Sequence, residues 1–149
     1  MYAELITGLA ETLKNATASK SFRRDIHVET YCPPEVFPFE MPPKKNDELS
    51  DFPYIVVMPD RCHDDQQIKE YDVRIGFGIY TAEKDVAAGW HDVINLGDTL
   101  RVAVREHELV IDKFRLVYPF DVRYGYEDDL SERWPYYDGE MFCKYEWGV

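Results

Sequence analysis

Cys62 and His63 stand side by side in a run that also holds Asp60, Asp64 and Asp65, so metal-ligating side chains crowd into a few positions. Their spacing argues against a structural metal. Zinc sites pair ligands two to four residues apart on each of two strands or knuckles, and no second pair answers this one. The run instead predicts an exposed polar hairpin tip. His107-Glu108 opens a zinc-protease signature, but Ile111 occupies the position that requires the second histidine. Asp60 followed by Gln67-Ile68-Lys69 has the outline of a metal-dependent nuclease, in which an acid, then an acid and a lysine, hold a metal beside the scissile phosphate. Gln67 replaces the second acid, and the separation is short.

Nucleophiles fare no better. Ser19, Ser21, Ser50 and Ser131 lack a nucleophile-elbow context, and no Gly-rich phosphate loop is present. Cys143 falls in an alternating strand pattern, which predicts an inert core thiol. The reading is therefore of no catalytic residue, no cofactor and no metal. Glu127, Asp128, Asp129 and Glu132 read as a solvated acidic surface. Trp134, Tyr136 and Tyr137 follow, and they either cap the domain's own core or anchor an interface, since Trp and Tyr dominate binding hot spots.

A chain of 149 residues with 45% hydrophobic content predicts one domain spanning 1–149, large enough to bury a core without disulfides. Three widely spaced cysteines and a Met1-Tyr2-Ala3-Glu4 start without a basic n-region lead to the expectation of a reducing cytoplasm. No segment has the length of a membrane span. Seventeen basic against 29 acidic residues give a formal charge of −12, which excludes a dedicated nucleic-acid binder because phosphate contacts demand basic surfaces.

The elements that must position these residues follow from periodicity. Tyr2, Ile6, Leu9, Leu13 and Ala16 fall at helical spacing and predict a helix over 2–17. Residues 25–32 alternate and predict one strand near an edge, stopped by Pro33 and Pro34. The Pro-rich stretch 33–53 predicts an irregular loop or arm. Strands are expected at 54–58 and 70–80, joined by a projecting loop over 59–67. Gly76 and Gly78 on one face suggest another element lying close over the sheet. A second helix is predicted over 82–107, with Val86, Trp90, Val93, Ile94, Gly97, Leu100 and Val104 on its buried stripe, and Gly97 kept for close packing. Strands over 114–124 and 140–147 complete an α+β fold: a mixed or antiparallel sheet of about four to five strands with two helices on one face.

Several segments together are similar to one known family. They are Pro53-Tyr54-Ile55-Val56-Val57-Met58-Pro59, an acidic hairpin tip, the strand Tyr71 to Tyr80, the helix around Trp90-His91-Asp92-Val93-Ile94-Asn95-Leu96, and Trp134-Pro135-Tyr136-Tyr137-Asp138-Gly139-Glu140-Met141. Across 53–147 the chain resembles the tail terminator, or tail-completion, proteins of long-tailed bacteriophages and prophages. The helix and the closing segment are the most specific parts. The resemblance implies a non-enzymatic virion protein of the tail-neck region, assembled in the host cytoplasm. It would form a hexameric ring on the tail tube protein, end tail polymerisation and dock the head-tail connector protein. DNA would pass only as cargo, unhindered by an acidic bore, and no membrane is involved. A neck or head-closure ring and an acidic DNA-mimic inhibitor are the competing readings.

Interaction residues expected on this basis are Arg61, His63, Asp64 and Asp65 at the tip, and Trp134, Tyr136 and Tyr137 in the closing segment. Phe37, Phe39 and Met41 lie in the stretch 33–53, whose prolines are expected to keep it out of the domain's own sheet and free to reach a neighbour.

Overall fold

The computed structural model describes residues 1–25, 29–42, 52–81, 86–125 and 136–147. In chain order the elements are α1 (Tyr2–Thr17), β1 (Phe22–Asp25), β2 (Glu29–Cys32), β3 (Glu35–Pro38), β4 (Tyr54–Asp64), β5 (Lys69–Tyr80), α2 (Val86–Glu106), β6 (Leu109–Val110), β7 (Phe114–Tyr124) and β8 (Tyr136–Trp147). The fold is α+β, with both helices on one face of a mixed sheet. That sheet runs β2-β1-β5-β8-β7-β6, with β4 and then β3 branching from β5, so its eight strands exceed the expected four to five.

Strict alternation in β5 and β8 builds the centre. Val73, Ile75, Phe77 and Ile79 point to the helices opposite Cys143, Met141, Gly139 and Tyr137. They meet Leu5, Ile6, Leu9 and Leu13 of α1 and Val93, Leu96, Leu100 and Val104 of α2, all fully or almost fully buried. Ile94 is the exception to the expected α2 stripe: it is exposed, and Leu96 and Ala103 take the inward positions. The reason is angular, because Val93, Leu96, Leu100 and Ala103 keep one 3.6-residue face and Ile94 lies outside it.

Four further expectations are corrected. Residues 25–32 are not one strand: β1 and β2 pair antiparallel, Phe22 opposite Cys32 and Asp25 opposite Glu29. Alternation continues through the reversal, and no Gly or Pro marks it in sequence. The stretch 33–53 is not excluded from the sheet, since β3 pairs in parallel with the start of β4, Glu35 opposite Tyr54 and Pro38 opposite Val57. Among the described residues β3 bonds only β4, and an edge strand tolerates flanking prolines. A parallel pair needs a crossover of a dozen or more residues, which accounts for the length of the connection between Pro38 and Tyr54.

The expected loop over 59–67 is mostly ladder: Cys62, His63 and Asp64 pair with Tyr71, Glu70 and Lys69, because backbone pairing does not require apolar side chains. Finally, β8 begins at Tyr136, opposite Tyr80, and not at 140. An aromatic pair across two strands extends the ladder there.

Gly97 packs against the sheet, where a Cβ would run into the Tyr124 hydroxyl. At Gly76 and Gly78 the close neighbour is the adjacent strand. A Cβ on Gly78 would lie 2.5 Å from the Tyr54 ring, and one on Gly76 would lie 3.0 Å from Val56, both residues of the neighbouring strand β4.

Candidate functional site

The sheet has a second face, away from the helices, on which charged side chains mix with aromatic and apolar ones such as Phe142, Met58 and the buried Val56. Asp72, Arg74, Gly76, Gly78 and Tyr80 of β5 stand opposite Lys144, Phe142, Glu140, Asp138 and Tyr136 of β8. Arg74 donates to Glu140 at 2.6 Å, and Lys144 lies 3.3 Å from Glu70. The Arg74 and Arg123 guanidiniums both lie over the Phe142 ring, 5.8 and 5.3 Å from its centroid. These partly exposed pairs each contribute little to stability. Their effect is to place charge on the β5–β8 part of this face.

The expected interaction residues divide between the two ends of this sheet. At one end, the β4–β5 tip is exposed from Pro59 through Ile68. Asp65 fixes the turn: its carboxylate accepts the N–H groups of Gln67 at 3.1 Å and Ile68 at 2.8 Å, and its own N–H donates to the Ile68 carbonyl. Those two N–H donors, Ile68 first, hold the Asp65 carboxyl below its ordinary value. Asp64 accepts the Gln66 N–H at 3.3 Å, His63 lies 3.9 Å from Asp65, and Arg61 reaches Asp72 at 3.8 Å.

At the other end, Phe52, Tyr54, Tyr80 and Tyr136 form an aromatic group with ring centroids 5.2 to 6.3 Å apart. Tyr136 is 49% exposed there. Tyr137 points the opposite way, is buried, and packs edge-on against Trp90 at 5.8 Å, so for this residue the core-capping reading holds. Trp134 and the acidic cluster 127–132 lie outside the described residues. Phe37 is half-buried in β3, whereas Phe39 is exposed at φ 74° and donates its N–H to the Val57 carbonyl at 2.7 Å. Met41 lines a cavity of about 290 Å³ on the charged face together with Tyr54, Met58, Gly76, Arg123 and Phe142. The tip and the aromatic end are separated by the length of β4, about 30 Å at the rise of an extended strand, so they are two surfaces and not one site.

Two features escaped sequence reasoning. The first is Tyr2, whose hydroxyl enters the bulge in β4 between Pro59 and Cys62. The second is a groove of about 400 Å³ between Arg101 and Arg105 of α2 and Tyr118, Pro119, Phe120 and Val122 of β7. Tyr118 is 48% exposed, donates to Glu108 at 2.7 Å, and stands 5.9 Å from Phe120. The Glu108 bond is the main reason its phenol titrates above the ordinary tyrosine value.

Beyond their short pairings, β4 and β7 leave one edge each without a strand partner among the described residues. Both edges carry a proline and a register shift, Pro59 with the shift at Pro59/Cys62 and Pro119 with the shift at Val117/Asp121. Proline and bulges are the devices that keep exposed edges from pairing with another chain.

Among the described residues no group of three or more His, Cys, Asp and Glu is placed to hold a metal ion. No described helix is long and apolar enough to cross a membrane. Among known proteins, no family model matches the chain, and no curated protein matches it.

Proposed function

We propose that this chain is a structural subunit of a bacteriophage-type tail, forming a ring that caps the tail tube, ends its polymerisation and docks the head connector. The proposal starts from the resemblance over 53–147. The observation that carries it is the two-sided sheet. One face is sealed by α1 and α2, and the other carries charged pairs among aromatic and apolar side chains, with interaction-type surfaces at both ends: the ordered tip around Asp65 and the aromatic group around Tyr136. A ring subunit needs separate surfaces for neighbours, tube and connector, and two well-separated surfaces favour this reading. The partners on this reading are other copies of the chain, the tail tube protein and the connector protein. DNA passes through an acidic bore to which it does not adhere.

Electron microscopy of particles assembled without the chain tests the proposal. Overlong tails are expected. Tails of normal length that lack heads would identify a neck or head-closure ring instead. Normal particles, with basic DNA-binding proteins retained on the immobilised chain in a salt-sensitive manner, would identify a DNA mimic.

A further inference from the structure

We infer that the groove between α2 and the bulged part of β7 receives the β4–β5 turn, Asp64 to Ile68, of a second copy of this chain. The inference rests on the ring reading above and assigns the contact between neighbours.

The groove is unusual for so acidic a chain. Arg101 and Arg105 border exposed Tyr118 and partly buried Phe120, and aromatics with arginine are the residues enriched where protein interfaces bury their centres. Arg101 meets Asp98 at 3.7 Å, with both side chains about half exposed. Among the described residues the groove lining holds one carboxylate, Asp121, against two guanidiniums, with Asp98 and Glu108 at its rim.

The turn has the complementary make-up. Asp64, Asp65, Gln66, Gln67 and Ile68 include two carboxylates, two amides and no cation, and Ile68 is 44% exposed. Two carboxylates can meet two guanidiniums while Ile68 lies on the Tyr118–Phe120 floor. The bonds from Asp65 already fix the loop, so little ordering entropy is lost on docking.

Topology allows the contact to be heterologous. The turn closes the β4–β5 hairpin, whereas the groove lies past β8, beside β7, so one copy can use both at once. Head-to-tail contacts of that kind generate rings when the rotation closes and filaments when it does not. Strand addition at the same edge is opposed by Pro119 and the adjoining bulge, which leaves side-chain docking as the available mode.

Disulfide trapping tests the assignment in the full chain, with Cys32→Ser and Cys62→Ser and the buried Cys143 retained. Ile68→Cys with Phe120→Cys, oxidised at high protein concentration, should give a ladder of linked copies, while Ile68→Cys with Ile94→Cys should give none. Light scattering gives the second readout. Arg101→Glu with Arg105→Glu should reduce self-association at least tenfold, and adding Asp64→Lys with Gln67→Lys, which keep the Asp65 carboxylate that fixes the turn, should restore it.

A 68–120 ladder that ends in a closed ring supports both the contact and the ring. A ladder that grows into open filaments supports the contact and removes the ring. Self-association without the 68–120 link, or without sensitivity to the charge reversals, overturns the contact and leaves the ring standing. Absence of both link and self-association overturns the contact. Charge reversals that spare self-association but abolish binding to purified tail tubes would assign the groove to the tube protein, and they would overturn it too.

Discussion

The Tyr2 hydroxyl accepts the backbone N–H of Asp60 at 2.9 Å across 58 residues of sequence, and it donates into the same bulge toward the carbonyls of Asp72 and Arg61. A bulge leaves ladder groups unpaired, and here a side chain from the first turn of α1 takes the place of the missing strand partner. Its ring also packs edge-on against Tyr71 at 5.0 Å. The start of the chain thereby sets the direction in which the β4–β5 tip leaves the sheet.

Tyr2→Phe should therefore lower stability by about 0.5–1.5 kcal/mol, the usual net worth of a hydrogen bond. Amide exchange should accelerate at 60–64 and remain unchanged at Val73 to Ile79, as read by hydrogen–deuterium exchange. Equal acceleration in both stretches would mean that the hydroxyl supports the whole fold and not the bulge.

Gly89 and Gly97 both sit in α2, yet they should respond differently to alanine. A Cβ on Gly89 would enter the ring of Tyr137, which is buried and wedged against Trp90. On Gly97 it would meet the hydroxyl of the less buried Tyr124. Overpacking costs about 1–3 kcal/mol, set against roughly 1 kcal/mol of gained helix propensity. Gly97→Ala should be rescued largely by Tyr124→Phe, whereas Gly89→Ala should not be rescued by Tyr137→Phe, because ring carbons make that clash. Chemical denaturation of the four variants checks this.

Burial pushes the Cys143 thiol up to about 12 from an ordinary value of 9. A raised value means that the folded state holds the proton more tightly. The resulting stability is full below pH 9 and is lost as pH climbs from 9 toward 12, at no more than about 1.4 kcal/mol per pH unit. Denaturation midpoints across that window should fall more steeply for the native chain than for Cys143→Ala. Tyr145 is also raised, by burial first and by Cys143 second, so making the comparison in a Tyr145→Phe background isolates the thiol. In the folded chain at neutral pH, thiol reagents should modify exposed Cys62 and leave Cys143 untouched.

The Tyr145 hydroxyl is fully buried with no hydrogen-bond partner among the described residues. An unpartnered buried hydroxyl lowers stability, so Tyr145→Phe should be neutral or stabilising by up to about 1 kcal/mol. A loss above 1 kcal/mol in thermal or denaturant unfolding would reveal a partner for that oxygen.

What the sequence disclosed and what it concealed divide along physical lines. Val73, Ile75, Phe77 and Ile79 alternate so cleanly that β5 was legible, and the helical spacing of Tyr2, Ile6, Leu9, Leu13 and Ala16 made α1 legible. The inert setting of Cys143 followed from its place in an alternating run. Parallel pairing of β3 was hidden because prolines announce a break, and nothing local records that Val36 will lie beside Ile55. The reversal between Asp25 and Glu29 was hidden because Ile26, Val28 and Thr30 alternate across it in sequence, with no Gly or Pro to mark a turn. Tyr2 in the β4 bulge, and Arg105 beside Tyr118, are meetings of residues far apart in sequence or on different elements, which periodicity does not encode.

The opposed faces of β5 and β8 also bear on how such a chain can change over generations. Side chains in these strands switch sides at every step, so inserting or deleting one residue between Tyr71 and Ile79 would turn Ile75 and Phe77 outward and carry Arg74 into the core. Single-residue length variation there should be purged. At the two register shifts the alternation is already interrupted, and at the Gln66-Gln67 turn there is none to disturb. Descendants of this sequence should therefore gain and lose residues at those three places, drifting in the reach of their edges while the two central strands keep a constant length.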